Sequence, residues 1–131
     1  MATSVKFNLT LSSDDLTTDA LSLQVNNTDS SATKGGLLRR RVGGTATGSS
    51  QILIDEDDYV AGARVFVRNC ETSAGETVSI SLDGGSTEHL TLEAGEWALF
   101  PWTASNNPGT PADIHVFGKT ITNIVEYGVF E

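Results

Sequence analysis

Apolar residues recur at every second position through most of this chain, and each alternating run closes on a turn built from Gly, Asn, Asp, Ser or Pro. That period belongs to strands with one buried face. Val5, Phe7, Leu9 and Leu11 alternate with Lys6, Asn8 and Thr10, which predicts a half-buried opening strand. Ser12-Ser13-Asp14-Asp15 interrupts it, and Asp15 to Asp19 suits a short helical turn capped by Ser13 or Asp14. Leu21, Leu23 and Val25 then give a second strand over Ala20 to Val25.

The clearest patterning runs from Ala63 to Trp102. Val65-Phe66-Val67-Arg68-Asn69, Val78-Ser79-Ile80-Ser81-Leu82, Leu90-Thr91-Leu92 and Trp97-Ala98-Leu99-Phe100-Pro101 read as four strands of a β-meander. Ala-Gly-Glu leads into a strand twice, at Ala74-Gly75-Glu76 and Ala94-Gly95-Glu96. Further strands are expected at Ser50 to Ile54, Ile114 to Phe117 and Ile121 to Phe130. A loop carries Asn107-Pro108-Gly109, and Gly118-Lys119 turns the chain. No apolar series holds a helical spacing across three turns. About nine or ten short strands, each about a dozen residues from the next, suit an all-β antiparallel sandwich, jelly-roll or immunoglobulin-like. Residues 1–131 are expected to form a single domain.

Residues 26–50 fit this scheme poorly, because Asn, Asp, Ser, Thr and Gly dominate them. One reading is an extended loop or arm that orders against a neighbouring subunit, since long structureless loops are uncommon in compact domains. The other is a strand at 37–42, bracketed by Gly35-Gly36 and Gly43-Gly44, with a flexible turn on each side.

Size and charge narrow the field. A chain of 131 residues buries a core without metals or disulfides. Its single cysteine, Cys70, cannot form an internal bridge and reads as a small apolar group at a strand end. Seventeen acids against eight bases give a net charge of −9, which argues against nucleic acid as a partner. No apolar run approaches the ~20 residues of a membrane-crossing helix, and no signal peptide is expected at the amino terminus. Asn8-Leu9-Thr10 and Asn26-Asn27-Thr28 match the glycosylation pattern by chance in that case. Lys6, Arg64, Arg68 and Glu126 would guard exposed strand surfaces, and Pro101 marks a strand end or a sheet edge.

Candidate chemistry is sparse. Ser86, His89 and Asp83 lie within one hairpin, where polar crowding at a turn explains them better than a catalytic triad. His115 sits on a strand and reads as an outward or interface residue. No histidine spacing supports zinc. Asp55-Glu56-Asp57-Asp58 offers hard oxygen ligands for calcium, but adjacent side chains on extended backbone diverge, so a solvated acidic loop is the simpler reading. Arg39-Arg40-Arg41 is the one basic cluster. It reads as a solvated loop, as a docking element for an acidic protein surface, or more weakly as a phosphate site. Trp97 and the pair Phe100/Trp102 alternate in facing; one face is core, and the other is free to act as an interface or a sugar-stacking platform.

The run Val65-Phe66-Val67-Arg68-Asn69, followed by Glu93-Ala94-Gly95-Glu96-Trp97-Ala98-Leu99-Phe100-Pro101, resembles small virion proteins of tailed bacteriophages, particularly accessory proteins of marine phages. Phe7-Asn8-Leu9-Thr10-Leu11, Asp19-Ala20-Leu21-Ser22-Leu23 and Val125-Glu126-Tyr127-Gly128-Val129 look similar as well. The likeness covers both ends and the meander but not residues 26–50. It implies a non-enzymatic virion structural role and carries over no catalytic residue, metal or cofactor. The leading expectation is a capsid decoration (cement) protein, assembled in the host cytoplasm, that forms a homo-oligomer and binds the major capsid protein or other virion proteins. A tail, neck or baseplate component is the alternative, and a carbohydrate-binding module the alternative of another class. The contact residues expected are Arg39, Arg40, Arg41 and the exposed member of the Trp97/Trp102 pair; neither nucleic acid nor membrane is an expected partner.

Overall fold

A computed structural model describes residues 3–13, 21–32, 35–43, 50–59, 62–103, 113–118 and 122–131. The turns expected at 15–19, 107–109 and 118–119 fall wholly or partly outside them. Ten strands follow in order: β1 (Thr3–Ser13), β2 (Leu21–Ala32), β3 (Gly35–Val42), β4 (Gln51–Ile54), β5 (Gly62–Asn69), β6 (Val78–Ser81), β7 (Leu90–Leu92), β8 (Trp97–Thr103), β9 (Ile114–Gly118) and β10 (Asn123–Phe130). Between β4 and β5 lies a 3-10 turn, Glu56–Asp58. The chain divides into two compact units, residues 1–33 and 34–131.

The first unit is an antiparallel hairpin of β1 and β2. Leu9 stands opposite Val25 and Leu11 opposite Leu23, so the apolar series of the two strands share one face. Asn26, Asn27 and Thr28, expected to open an arm, instead pair with Asn8, Phe7 and Lys6. Cross-strand hydrogen bonding overrides their preference for turns.

The second unit is a β-sandwich of two four-stranded antiparallel sheets, ordered β3-β10-β5-β8 and β4-β9-β6-β7. First strand pairs with last, β4 with β9, β5 with β8, and β6 with β7, and successive pairs alternate between sheets. This is a jelly roll: one long antiparallel ribbon wrapped into two layers. Of the two architectures the strand pattern allowed, the immunoglobulin-like one is thereby replaced. All eight strands feed one core through Val42, Leu53, Ile54, Val65, Val67, Val78, Ile80, Leu92, Trp102, Ile114, Val116 and Val125.

Two further expectations are corrected. The arm at 26–50 is, where described, the end of β2 and the whole of β3; all eight β3 residues pair with β10, which holds even Gly35 and Gly36 extended. The four strands between Ala63 and Trp102 exist but do not form a meander. Only β6 and β7 are adjacent, in one sheet, while β5 and β8 pair in the other. Alternation reports which face a residue takes, not which strand lies beside it.

The two Ala-Gly-Glu segments sit where the chain crosses between sheets, and they are one turn used twice. The Glu76 and Glu96 amides donate to Ser73 and Glu93 carbonyls (3.2 and 3.0 Å), with Gly75 and Gly95 at φ +85° and +82°. That is a type II turn, whose third position demands positive φ. Each glutamate carboxylate also accepts the amide of its turn's first residue, Ser73 or Glu93. Asn69, fully buried, joins the two. Its Nδ2 donates to the Glu76 and Leu92 carbonyls (2.7 and 3.1 Å), and its Oδ1 accepts the Glu71 amide at 3.2 Å. Its backbone amide donates to the Glu96 carbonyl at 2.9 Å.

Candidate partner-docking face

The outward face of the β3-β10-β5-β8 sheet follows from register. Arg39, Glu126, Arg68 and Trp97 stand in one cross-strand row, with Leu37, Gly128, Phe66 and Leu99 in the next. A third row holds Gly35, Phe130, Arg64 and Pro101. Arg41, opposite Ile124, extends the face at one end. Inward positions of the same strands carry Val65, Val67, Val125 and Trp102, so alternation sends the outward set to solvent.

Two kinds of side chain are combined there. All five arginines of the chain lie on β3 and β5, and Arg39, Arg41, Arg64 and Arg68 take outward positions. Among them run apolar groups: Trp97 is 53% exposed and Leu37 59%, with Leu99 exposed and Phe66 half-buried beside them. The Trp97 ring lies 6.4 Å from that of Phe66, tilted by 33°. Gly128 keeps the centre flat. A Cβ there would meet the Gly36 carbonyl oxygen at 2.6 Å and Leu37 Cδ2 at 2.9 Å. Arg39 Nε binds Glu126 Oε1 at 2.9 Å, and that carboxylate raises the guanidinium further above its ordinary value. With one acid against four guanidinium groups, these rows are locally basic in a chain of net charge −9.

The expected contact residues divide accordingly. Arg39, Arg41 and Trp97 come together on this face. Arg40 points the other way from its neighbours and donates to the Ile52 carbonyl at 2.6 Å, linking the edge strands of the two sheets. Trp102, 8% exposed, is core, edge-on to Tyr59 at 5.7 Å. Trp97 is thus the exposed member of the pair, and Phe100/Trp102 the core side. Arg64, Phe66, Arg68, Leu37 and Leu99 complete the face; from sequence, Arg64 and Arg68 were placed on exposed strand surfaces but none of the five was named as a contact. The Arg-x-Phe-x-Arg alternation of β5 was the available signal.

The other candidates serve their own loops. Asp83 accepts from Ser81 Oγ (2.5 Å) and from the Ser86 and Thr87 amides (3.1 and 3.0 Å), which holds its carboxyl well below the usual carboxylate range. Asp83 thereby organises the eight-residue connection 82–89 between β6 and β7. His89 Nδ1 accepts the Leu82 amide at 3.2 Å. Asp55 caps the 3-10 turn by accepting the Asp57 amide, and Asp113 Oδ1 accepts the Glu56 amide. Among the described residues, no three His, Cys, Asp or Glu side chains converge on a point where a metal ion would sit. His115 is half-buried, its Nε2 3.9 Å from Asp113 Oδ2, and Cys70 is a half-buried free thiol. No helix is long and apolar enough to cross a membrane among the described residues. No family of proteins, no curated protein and no solved structure matches this chain.

Proposed function

We propose that the chain is an accessory structural protein of a tailed-phage virion, a capsid decoration protein that docks on the shell through the outward face of the β3-β10-β5-β8 sheet. The observation that carries this reading is the composition of that face: guanidinium groups and uncovered aromatic and aliphatic side chains on one flat sheet. Arginine and tryptophan are the side chains that most often dominate protein interfaces. A basic face on an acidic protein selects an acidic partner surface while the rest of the molecule repels it, which fixes orientation. Four strands about 4.8 Å apart and about 25 Å long give a flat footprint of about 500 Å². That is a large share of the ~800 Å² each partner contributes to a stable interface. Jelly rolls occur in capsid proteins and lectins alike, so the fold alone does not choose between partners. The resemblance to phage accessory proteins directs the choice to the shell.

The test is binding to purified capsids that lack the protein. Wild-type chain should bind them, raise the temperature at which they burst, and bind more weakly as salt increases. Arg39→Glu with Arg68→Glu, and separately Trp97→Ala, should abolish binding without unfolding the sandwich. Copurification with DNA-free tails would replace the shell by a tail or baseplate site. Quenching of Trp97 fluorescence by glycans, without capsid binding, would favour the carbohydrate-binding alternative, which the exposed ring beside Phe66 also suits.

A further inference from the structure

The sandwich has an edge strand at each side of each sheet, β3 and β8 in one and β4 and β7 in the other, and all but β3 are blunted. The Asn69 amide donates to the Glu96 carbonyl, so alternation turns the backbone groups of Ala98, Phe100 and Trp102 toward β5. Trp97, Leu99 and Pro101 then face the free edge of β8, and Pro101 has no N–H to offer there. On β4, the Ile52 carbonyl is taken by Arg40 Nη1 at 2.6 Å. β7 is only three residues long. Short strands, prolines and capping side chains are ways of closing an edge against stray strands.

β3 is different. It runs for eight residues without proline or bulge, and among the described residues it pairs with β10 alone. The Cys70 amide donates to the Ile124 carbonyl at 2.8 Å. Alternation from that bond turns Glu126 and Gly128 toward β5, and Val125, Tyr127 and Val129 toward β3. Opposite this second set stand Arg40, Leu38 and Gly36. Leu37, Arg39 and Arg41 therefore direct their amides and carbonyls outward, as a template for one more strand.

We infer that β3 takes up an extended acidic segment of a partner protein as an added strand of this sheet. Backbone hydrogen bonds supply the attachment, and side chains the choice of partner. On the outward face the added strand lies beside Leu37, Arg39 and Arg41, which call for an apolar residue and then acids at alternate positions. Arg39 gives its Nε to Glu126, and a guanidinium keeps further N–H donors for a second carboxylate. A second copy of this chain does not fit. Pairing β3 with β3 would bring two Arg39-Arg40-Arg41 triplets into one ladder, where like charges destabilise. None of the ten strands carries more than one acidic residue. The attachment uses backbone groups that the flat docking face leaves aside, and the inference does not rest on the partner being a shell.

The test uses the full chain and a blocked peptide of about nine residues, with Glu and Val at alternate positions and Thr between them, long enough to match β3. In the free chain the amides of Leu37, Arg39 and Arg41 should exchange with solvent faster than those of Gly36, Leu38 and Arg40, and the peptide should slow them. Fluorescence anisotropy of the labelled peptide should show saturable binding that weakens as salt rises, and a peptide with Lys for Glu should not bind. Leu37→Pro removes one outward amide while keeping every arginine, and should weaken binding about tenfold or more; Leu37→Ala should weaken it far less. Trp97→Ala, on the opposite edge strand, should leave peptide binding unchanged, so failure of this edge and failure of the flat face are told apart. The exchange measurement needs no variant and holds even if Leu37→Pro does not fold. Slow exchange at the three outward amides in the free chain, or peptide binding without new protection there, would overturn the inference. So would equal weakening by Leu37→Pro and Leu37→Ala in folded chains, or protection that grows with chain concentration in the absence of peptide.

Discussion

Replacing Asn69 should do more damage than any other single change to a polar residue in the sandwich. Its side chain makes three hydrogen bonds, to the Glu76 and Leu92 carbonyls and from the Glu71 amide. At about 1 kcal/mol net for each, Asn69→Ala should cost about 3 kcal/mol. For a chain of this size that lowers the melting temperature by about 10 °C. Asn69→Asp is the sharper test. It keeps the acceptor for the Glu71 amide but sets a carboxylate against two carbonyl oxygens in a fully buried site. Burial and those dipoles raise the carboxyl's folded pKa above its unfolded value of about 3.9. The variant should therefore be less stable than Asn69→Ala at pH 7, and should recover relative to wild type as pH falls through the raised folded value. Both tryptophans lie on β8, so urea unfolding followed by their fluorescence reports on the sandwich. If Asn69→Asp matches wild type at pH 7, or Asn69→Ala costs under about 1 kcal/mol, the two turns do not depend on this residue.

Other outcomes follow from the same geometry. Gly128→Ala should lower stability by about 1–3 kcal/mol in thermal or urea unfolding, because its Cβ meets the Gly36 carbonyl at 2.6 Å; Gly36→Ala, with nothing within 4 Å, should be nearly neutral. Asn123 is fully buried with neither side-chain atom hydrogen-bonded, so Asn123→Leu, which keeps the shape, should stabilise by about 1 kcal/mol or more on the same measurement. The depressed folded pKa of Asp83 contributes stability that is present above the unfolded carboxylate value of about 3.9 and lost as pH falls below it. Acid unfolding of Asp83→Asn should accordingly show a shallower loss below pH 4 than wild type.

How legible the molecule was depends on what each pattern encodes. Alternation in Val65-Phe66-Val67-Arg68-Asn69 gave the strand and its inward set, and the structure buries Val65, Val67 and Asn69. The same alternation could not name neighbours, which is why the four strands between Ala63 and Trp102 were read as a meander inside the expected sandwich. Asn26 to Thr28 and Gly35-Gly36 looked like loop because their strand state is imposed by β1 and β10 rather than by their own preferences. On the candidate face, the phase of Trp97 against Trp102 was visible, but which side is core was decided by Tyr59, remote in sequence. The triplet Arg39 to Arg41 was visible too. Its split was not, since Glu126 lies 87 positions from Arg39 and Ile52 belongs to the opposite sheet.

Because β10 lies between β3 and β5, the sandwich has a pronounced order of events during synthesis. β3 emerges from the ribosome long before β10, the strand it pairs with among the described residues, and must wait with its amides and carbonyls in water until β10 arrives. Such non-local closure makes for slow folding and a long interval in which an unpaired strand is open to wrong partners. The arginines of β3 are well placed for that interval: repulsion between like-charged nascent strands keeps them from pairing with one another before the last strand slots in.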